Sequence, residues 1–287
     1  MEIAGYIGVP NDNIKIFFIP KIILREQTAK MINPYIQVTN LTNGFHRKLF
    51  QSYGNNFFPI GTGTFIHYKS ECFLVTCWHC VKFLFEENSL ESFTLFTKYK
   101  DEDVIPLKLD LNDLLYFKDI DNDIVIFSLD CDFIKDNFKT IHFIKEESFS
   151  DLDSNPLQNK DLVFVTGSPY YRVEITDKIV APHGLTLKTF FEKHEDDDIT
   201  VSFVKDGLCV DDNGKHQNHE IETISGLSGG PAFRFLFNES KANENEPLGF
   251  LEFIGIVQMG TSESGFIHIL NIKKLKLILD TFLQESF

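Results

Sequence analysis

The chain has 287 residues, 43% hydrophobic and 24% charged, an ordinary globular mixture long enough to bury a core without staples. Its 27 Lys and Arg against 42 Asp and Glu leave a net charge of −15. That balance disfavours a primary nucleic-acid role, because neutralising phosphate needs clustered cations. No apolar run reaches the roughly 18 residues a membrane helix requires.

The first residues, Met1 to Tyr6, carry no basic segment and do not read as a signal peptide. The first 40 or so residues fit no pattern found further along and receive no role. Beyond them, short β-branched and aromatic runs recur between Gly, Asn and Asp: 63–68, 73–76, 123–127, 162–166, 199–204 and 253–257. These are strand signals. Many such runs without long helical patterns between them predict antiparallel barrels or sandwiches. The polar stretch 143–160 reads as a link between two halves. Residues 194–198, 211–219 and 238–247 read as exposed loops. From Ile272 onward, Ile272, Leu275, Leu279 and Phe282 fall at helical spacing, widened by Leu277, Ile278 and Leu283, while Lys273, Lys274 and Lys276 lie off the stripe. This predicts one C-terminal helix capping the core. The five cysteines, Cys72, Cys77, Cys80, Cys131 and Cys209, are odd in number and predict reduced thiols in a cytoplasm.

The sharpest chemical signal is Ile224-Ser225-Gly226-Leu227-Ser228-Gly229-Gly230-Pro231. A serine among three glycines and a proline marks a tight turn that other backbone approaches closely. There a hydroxyl can project while the Gly226 and Ser228 amides converge on one point, as an oxyanion requires. A serine needs a base, and His79 follows a strand-like run, Phe73 to Thr76. The base needs an orienting carboxylate. Asp123 opens the apolar run Ile124 to Phe127 and is preferred over its neighbours Asp119 and Asp121.

Five segments taken together resemble the trypsin/chymotrypsin-like serine peptidases, in particular the bacterial trypsin-like peptidase domains. They are Gly61-Thr62-Gly63-Thr64-Phe65-Ile66, Leu74-Val75-Thr76-Cys77-Trp78-His79-Cys80, Asn122-Asp123-Ile124-Val125-Ile126, Gly226-Leu227-Ser228-Gly229-Gly230-Pro231 and Gly255-Ile256-Val257-Gln258-Met259-Gly260. The chain order His, Asp, Ser is that of the chymotrypsin group. The resemblance implies an all-β fold of two packed six-stranded antiparallel β-barrels with a C-terminal helix. Residues 1–44 would be an extension, 45–145 the first barrel with His79 and Asp123, and 146–287 the second barrel with Ser228. It implies a serine endopeptidase without a cofactor, acting on a protein or peptide substrate through an acyl-enzyme. Val257, Gln258, Met259 and Gly260 would line the substrate channel, and Glu222, six residues before the serine, would floor the specificity pocket. Leu227 stands where secreted relatives carry an Asp that pairs with a new N-terminus, so activation by N-terminal cleavage is not expected. Cys80 matches a position that is disulfide-bonded in those relatives, but no cysteine lies at the usual distance upstream. An intracellular peptidase implies restraint, hence a regulatory protein partner; nucleic acid and membrane are not expected as partners.

Other readings use the same residues. Cys77-Trp78-His79-Cys80 is a C-x-x-C after a strand, as in thiol oxidoreductases, but that reading leaves Gly226 to Pro231 unexplained. A latent peptidase fold that only binds peptides is the main alternative. His216, His219 and Glu220 read as a solvated loop rather than a metal site, as do Asp196 to Asp198. Zinc on Cys77, His79 and Cys80 would consume the proposed base.

Overall fold

The computed structural model describes residues 22–25, 34–53, 56–86, 93–98, 104–111, 113–138, 140–170, 173–175, 180–182, 184–203, 205–210, 216–220, 224–237, 247–261 and 263–286. Strand β1 (Ile22–Arg25) and helix α1 (Pro34–Thr42) come first. The first sheet contains β2 (His46–Tyr53), β3 (Asn56–Tyr68), β4 (Glu71–Cys77), β5 (Phe93–Lys98), β6 (Val104–Leu109), β7 (Tyr116–Asp119), β8 (Ile124–Leu129) and β9 (Ile144–Lys145). Short helices α2 (Trp78–Val81) and α3 (Phe83–Glu86) follow β4, and α4 (Cys131–Asn137) follows β8. Next come β10 (Leu162–Gly167), β11 (Val173–Ile175), β12 (Val180–Pro182), β13 (Gly184–Glu195), β14 (Asp198–Ser202), β15 (Asp206–Val210) and β16 (His216–Glu220). The chain closes with β17 (Pro231–Phe237), β18 (Pro247–Thr261), β19 (Phe266–Asn271) and α5 (Ile272–Ser286).

The architecture is all-β, two antiparallel barrel-type sheets and a C-terminal helix. In the second sheet the strands run β10-β17-β18-β19-β14-β13, and β13 pairs back onto β10, closing a six-stranded barrel. The first sheet runs β6-β5-β2-β3-β4-β8-β7. Among the described residues its end strands do not pair with each other, and the sheet forms a half-barrel, consistent with the double-barrel fold expected. β1 adds to β18 as an antiparallel strand, with Ile22 opposite Leu251. Part of the N-terminal segment is therefore built into the second sheet.

Side-chain alternation makes both faces of the central strands apolar. On β4 and β8, Leu74, Val125 and Phe127 join the core inside the first sheet. Phe73, Val75, Ile124 and Ile126 point the other way and join a core shared with Val163, Phe233, Ile256 and Leu279 of the second half. The ends of β4 and β8 thus lie where the two halves meet. β3 and β4 are joined by Lys69 and Ser70, both at positive φ (47° and 71°), a two-residue turn of the primed kind that matches strand twist. α5 begins where predicted and buries Ile272, Leu275, Ile278, Leu279 and Phe282. The Asn271 side chain accepts from the Lys274 N–H at 2.9 Å and caps it. Leu277, expected to widen the apolar stripe, is instead 62% exposed.

Two expectations are corrected. Residues 216–219, read as loop, lie in β16, which pairs with β15 over five positions from Asp206–Glu220 to Val210–His216. Polar composition hid a strand whose pairing is carried by the backbone. Residues 238–246 lie outside the described residues. The second correction is a disulfide, Cys72–Cys131, with Cα atoms 5.3 Å apart. The β4–β8 register sets Cys72 against Leu129, two residues before Cys131, so strand pairing unites thiols 59 residues apart. Cys77 and Cys80 are free thiols. Among the described residues no helix is long and apolar enough to cross a membrane.

Candidate active site

β4 and β8 are paired up to Cys77 opposite Ile124. Just past that pair the chains diverge. Trp78 N–H still donates to the Asp123 carbonyl at 3.0 Å. Cys77, in extended conformation, then starts α2 and turns His79 toward the Asp123 side chain. Asp123 holds residue 79 twice: its Oδ1 accepts from the His79 backbone N–H at 2.8 Å, and its Oδ2 meets Nδ1 at 2.6 Å. Asp123 sits at φ 53°, a left-handed conformation that an Asp tolerates and that aims its carboxylate back at α2. Of its competitors, Asp119 caps the turn by accepting from the Asn122 N–H at 3.1 Å and side-chain amide at 2.7 Å. Asp121 is exposed.

The Ser228 turn faces the same junction from the second half. Gly226 and Gly229 have φ of 93° and 88°, where a side chain would be strained. A Cβ on Gly229 would lie 2.0 Å from the Thr62 carbonyl oxygen. The turn is pinned by residues that the sequence reading passed over. Thr62 N–H donates to the Ser228 carbonyl at 3.0 Å, Thr62 Oγ1 to the Gly226 carbonyl at 2.6 Å, and Thr64 Oγ1 to the Gly229 carbonyl at 2.7 Å. Both threonines are fully buried. The signal available was their alternation with Gly61 and Gly63, small residues that let another chain approach β3. On the far side, Tyr170 N–H donates to the Ser225 carbonyl at 3.0 Å and its hydroxyl to the Ile60 carbonyl at 2.8 Å. Buried Lys48 reaches across from β2 to the Pro169 carbonyl and lies 5.4 Å from the Tyr170 ring centroid. Burial brings its pKa down to about 7.

Within the turn, the Leu227, Gly229 and Gly230 N–H groups donate to the carbonyls of Ile224, Val257 and Leu227. The Gly226 and Ser228 N–H groups donate to no acceptor among the described residues. Turn amides are normally paired when enclosed, so these two are poised for an acceptor. The Ser228 hydroxyl makes no hydrogen bond to His79 among the described residues. The Cys80 Sγ is 3.4 Å from His79 Nε2 and 4.0 Å from the Ser228 backbone carbonyl. Gly61 makes room for it, since a Cβ there would come within 2.8 Å of that sulfur. The Asp123 carboxylate, then the Cys80 thiol, push the His79 pKa up to about 10, partial burial opposing them.

The expected channel residues are placed differently from one another. Val257 is fully buried, and its backbone is committed to Gly229 and Gly230 at 2.8 Å each. Gln258 turns its amide onto the Asn122 carbonyl at 2.7 Å, bracing the Asp123 loop. Met259 is 59% exposed. Gly260 packs on Ile224, with 2.2 Å from a Cβ built there to Ile224 Cδ1. Glu222 lies outside the described residues. Cys77 Sγ, a His79 ring nitrogen and an Asp123 oxygen lie within 4.8 Å of one another. A metal there would take the imidazole nitrogens from any proton transfer, and burial holds the Cys77 thiol well above its ordinary pKa.

The chain is similar in fold to the serine endoprotease from Yersinia pestis. The likeness has a TM-score of 0.50 at 12% identity, over 90% of this chain and 69% of that one. No family model and no curated protein sequence matches. The comparison supports a peptidase-type fold.

Proposed function

We propose that this chain is a serine endopeptidase in which Ser228 is the nucleophile, His79 its base and Asp123 the group that orients and charges the imidazole. The observation that supports this most is the double hold of Asp123 on His79, set against a turn whose Gly226 and Ser228 N–H groups are undonated. In this reading His79 Nε2 takes the Ser228 proton as Oγ attacks the scissile carbonyl, and the developing oxyanion accepts from those two amides. His79 then returns the proton to the leaving amine, and water cleaves the acyl-enzyme by the reverse sequence. An extended peptide would lie along residues 257–260, with exposed Met259 against its side chains.

One observation favours a restrained resting state. The Cys80 sulfur lies 3.4 Å from the nitrogen that Ser228 would use, and the His79 pKa is raised. Substrate or a protein partner would have to release that nitrogen. The test is covalent labelling by a fluorophosphonate with adduct mass mapping, on wild type, His79→Ala and Ser228→Ala. Labelling at Ser228 that depends on His79 is the expected result. A folded wild type that stays unlabelled from neutral to alkaline pH would favour the peptide-binding module instead.

A further inference from the structure

At the opposite end of β4 from the candidate active site, three metal-ligating side chains meet. His67 on β3 is the direct cross-strand partner of Cys72 on β4, and directly opposite residues present their side chains on the same face. Cys131 reaches the same point from the first turn of α4, through the disulfide. One ring nitrogen of His67 and the two sulfurs all lie within 4.8 Å of one another. A disulfide needs no imidazole, yet the His67 ring makes no hydrogen bond among the described residues and keeps a nitrogen within 4.8 Å of both sulfurs. Burial first, then Lys135 and Lys145, hold its pKa below the ordinary value, and the carboxylates of Glu147 and Glu71 act on it in the opposite sense.

We propose that Cys72, Cys131 and His67 form a zinc site when the disulfide is reduced, so that this corner holds either a sulfur–sulfur bond or a zinc ion. Two thiolates and an imidazole are a donor set that selects zinc over magnesium or calcium. Cα atoms 5.3 Å apart let two cysteines ligate one ion at Zn–S distances of about 2.3 Å with small rotamer changes. His67 and Cys131 are partly exposed and Cys72 is buried, which leaves an entry path and a fourth position for water. The exchange balances with a dithiol reductant. One of its thiolates attacks a disulfide sulfur, and the second resolves the mixed disulfide. The reductant leaves oxidised, and Cys72 and Cys131 become thiols by gaining two protons. Zn²⁺ displaces those two protons as it binds.

The site does not depend on the peptidase reading and is tested without activity. The full chain, reduced with an excess of a dithiol that is then removed under argon, is titrated with zinc against a chromophoric chelator. Co²⁺ serves as a spectroscopic probe. The expected result is one zinc per reduced chain and none per oxidised chain, with a thiolate-to-cobalt charge-transfer band. Losing a direct ligand should cost at least the about tenfold typical of losing a supporting group, so His67→Gln weakens binding by that much or more and Cys131→Ala abolishes it. Far-ultraviolet circular dichroism confirms that each variant is folded; His67→Gln, on a hairpin strand, carries the test if Cys131→Ala is not. The Cys77→Ala/Cys80→Ala double variant keeps the site. No zinc bound by the reduced wild type, undiminished affinity in His67→Gln, or loss of binding in the Cys77→Ala/Cys80→Ala variant would each overturn the proposal.

Discussion

Reducing the Cys72–Cys131 disulfide, with no mutation at all, should cost the protein a calculable amount of stability. The bond closes a loop with a sequence separation of 59 residues. That loop contains β5 to β8, α2 and α3, and with them both His79 and Asp123. Chain-entropy arithmetic for a ring of that size gives about 4 kcal/mol, which the cross-link withholds from the unfolded state. Native packing changes little on reduction, because small side-chain rotations let the two sulfurs part to non-bonded separation. Trp78, the single tryptophan, reports the result from the site itself: it packs on Phe85 with ring centroids 5.2 Å apart, under the Lys118 ammonium. Urea titrations of oxidised and reduced protein, followed by Trp78 fluorescence with EDTA present, should show the reduced midpoint lower by about 1 M. A shift below about 0.2 M would refute the reasoning, since the loop would then be constrained equally without the bond.

Four further outcomes follow. Asp123→Asn should leave the fold intact and slow fluorophosphonate labelling by about a thousandfold or more, because the imidazole loses both its orientation and its charge partner. The His79 pKa is raised to about 10, so the basic form grows as pH rises. Labelling of wild type should therefore climb through the alkaline range, and Cys80→Ala should move that rise to lower pH; a rate profile that Cys80→Ala does not shift would contradict the thiol contact. Gly229→Ala should destabilise by about 3 kcal/mol or more, since a Cβ at φ 88° would lie 2.0 Å from the Thr62 oxygen; a melting temperature within a degree or two of wild type would count against this packing. His46 and His142 have pKa values lowered by burial to about 3 and about 4, from 6.5. The unfolded chain then binds more protons, so stability is full above pH 6.5 and is lost as pH falls toward 4. By pH 5 each should cost about 2 kcal/mol, measured by urea titration of wild type against His46→Gln.

The parts of this fold written in side-chain pattern were readable in advance. Runs such as 123–127 carry their own strand propensity, α5 carries its own period, and Gly229 advertises a turn because no other residue fits there. His79 and Asp123 could be paired from the sequence because each directly adjoins an apolar run, and those two runs proved to be neighbouring strands. What escaped notice depends on register. The disulfide exists because β4 and β8 align Cys72 with Leu129, and β16 exists because its backbone pairs with β15. The unlike placement of the four channel residues has a related reason. A bulge between Val257 and Met259 changes which way successive side chains face, and no count along the chain reveals a bulge. Thr62 and Thr64 were quoted only as part of a likeness, although their hydroxyls fix the very turn that holds Ser228.

The threonine clasp also bears on when this site can exist during synthesis. The Ser228 turn is held on one side by β3, which is made before it, and on the other by the Val257 carbonyl on β18, which is made after it. While the chain is being made, His79 and Asp123 can already be in contact, but the turn that would complete the site has no seat until residue 257 emerges and both halves have docked. A nascent or truncated chain therefore carries the pair without the finished turn.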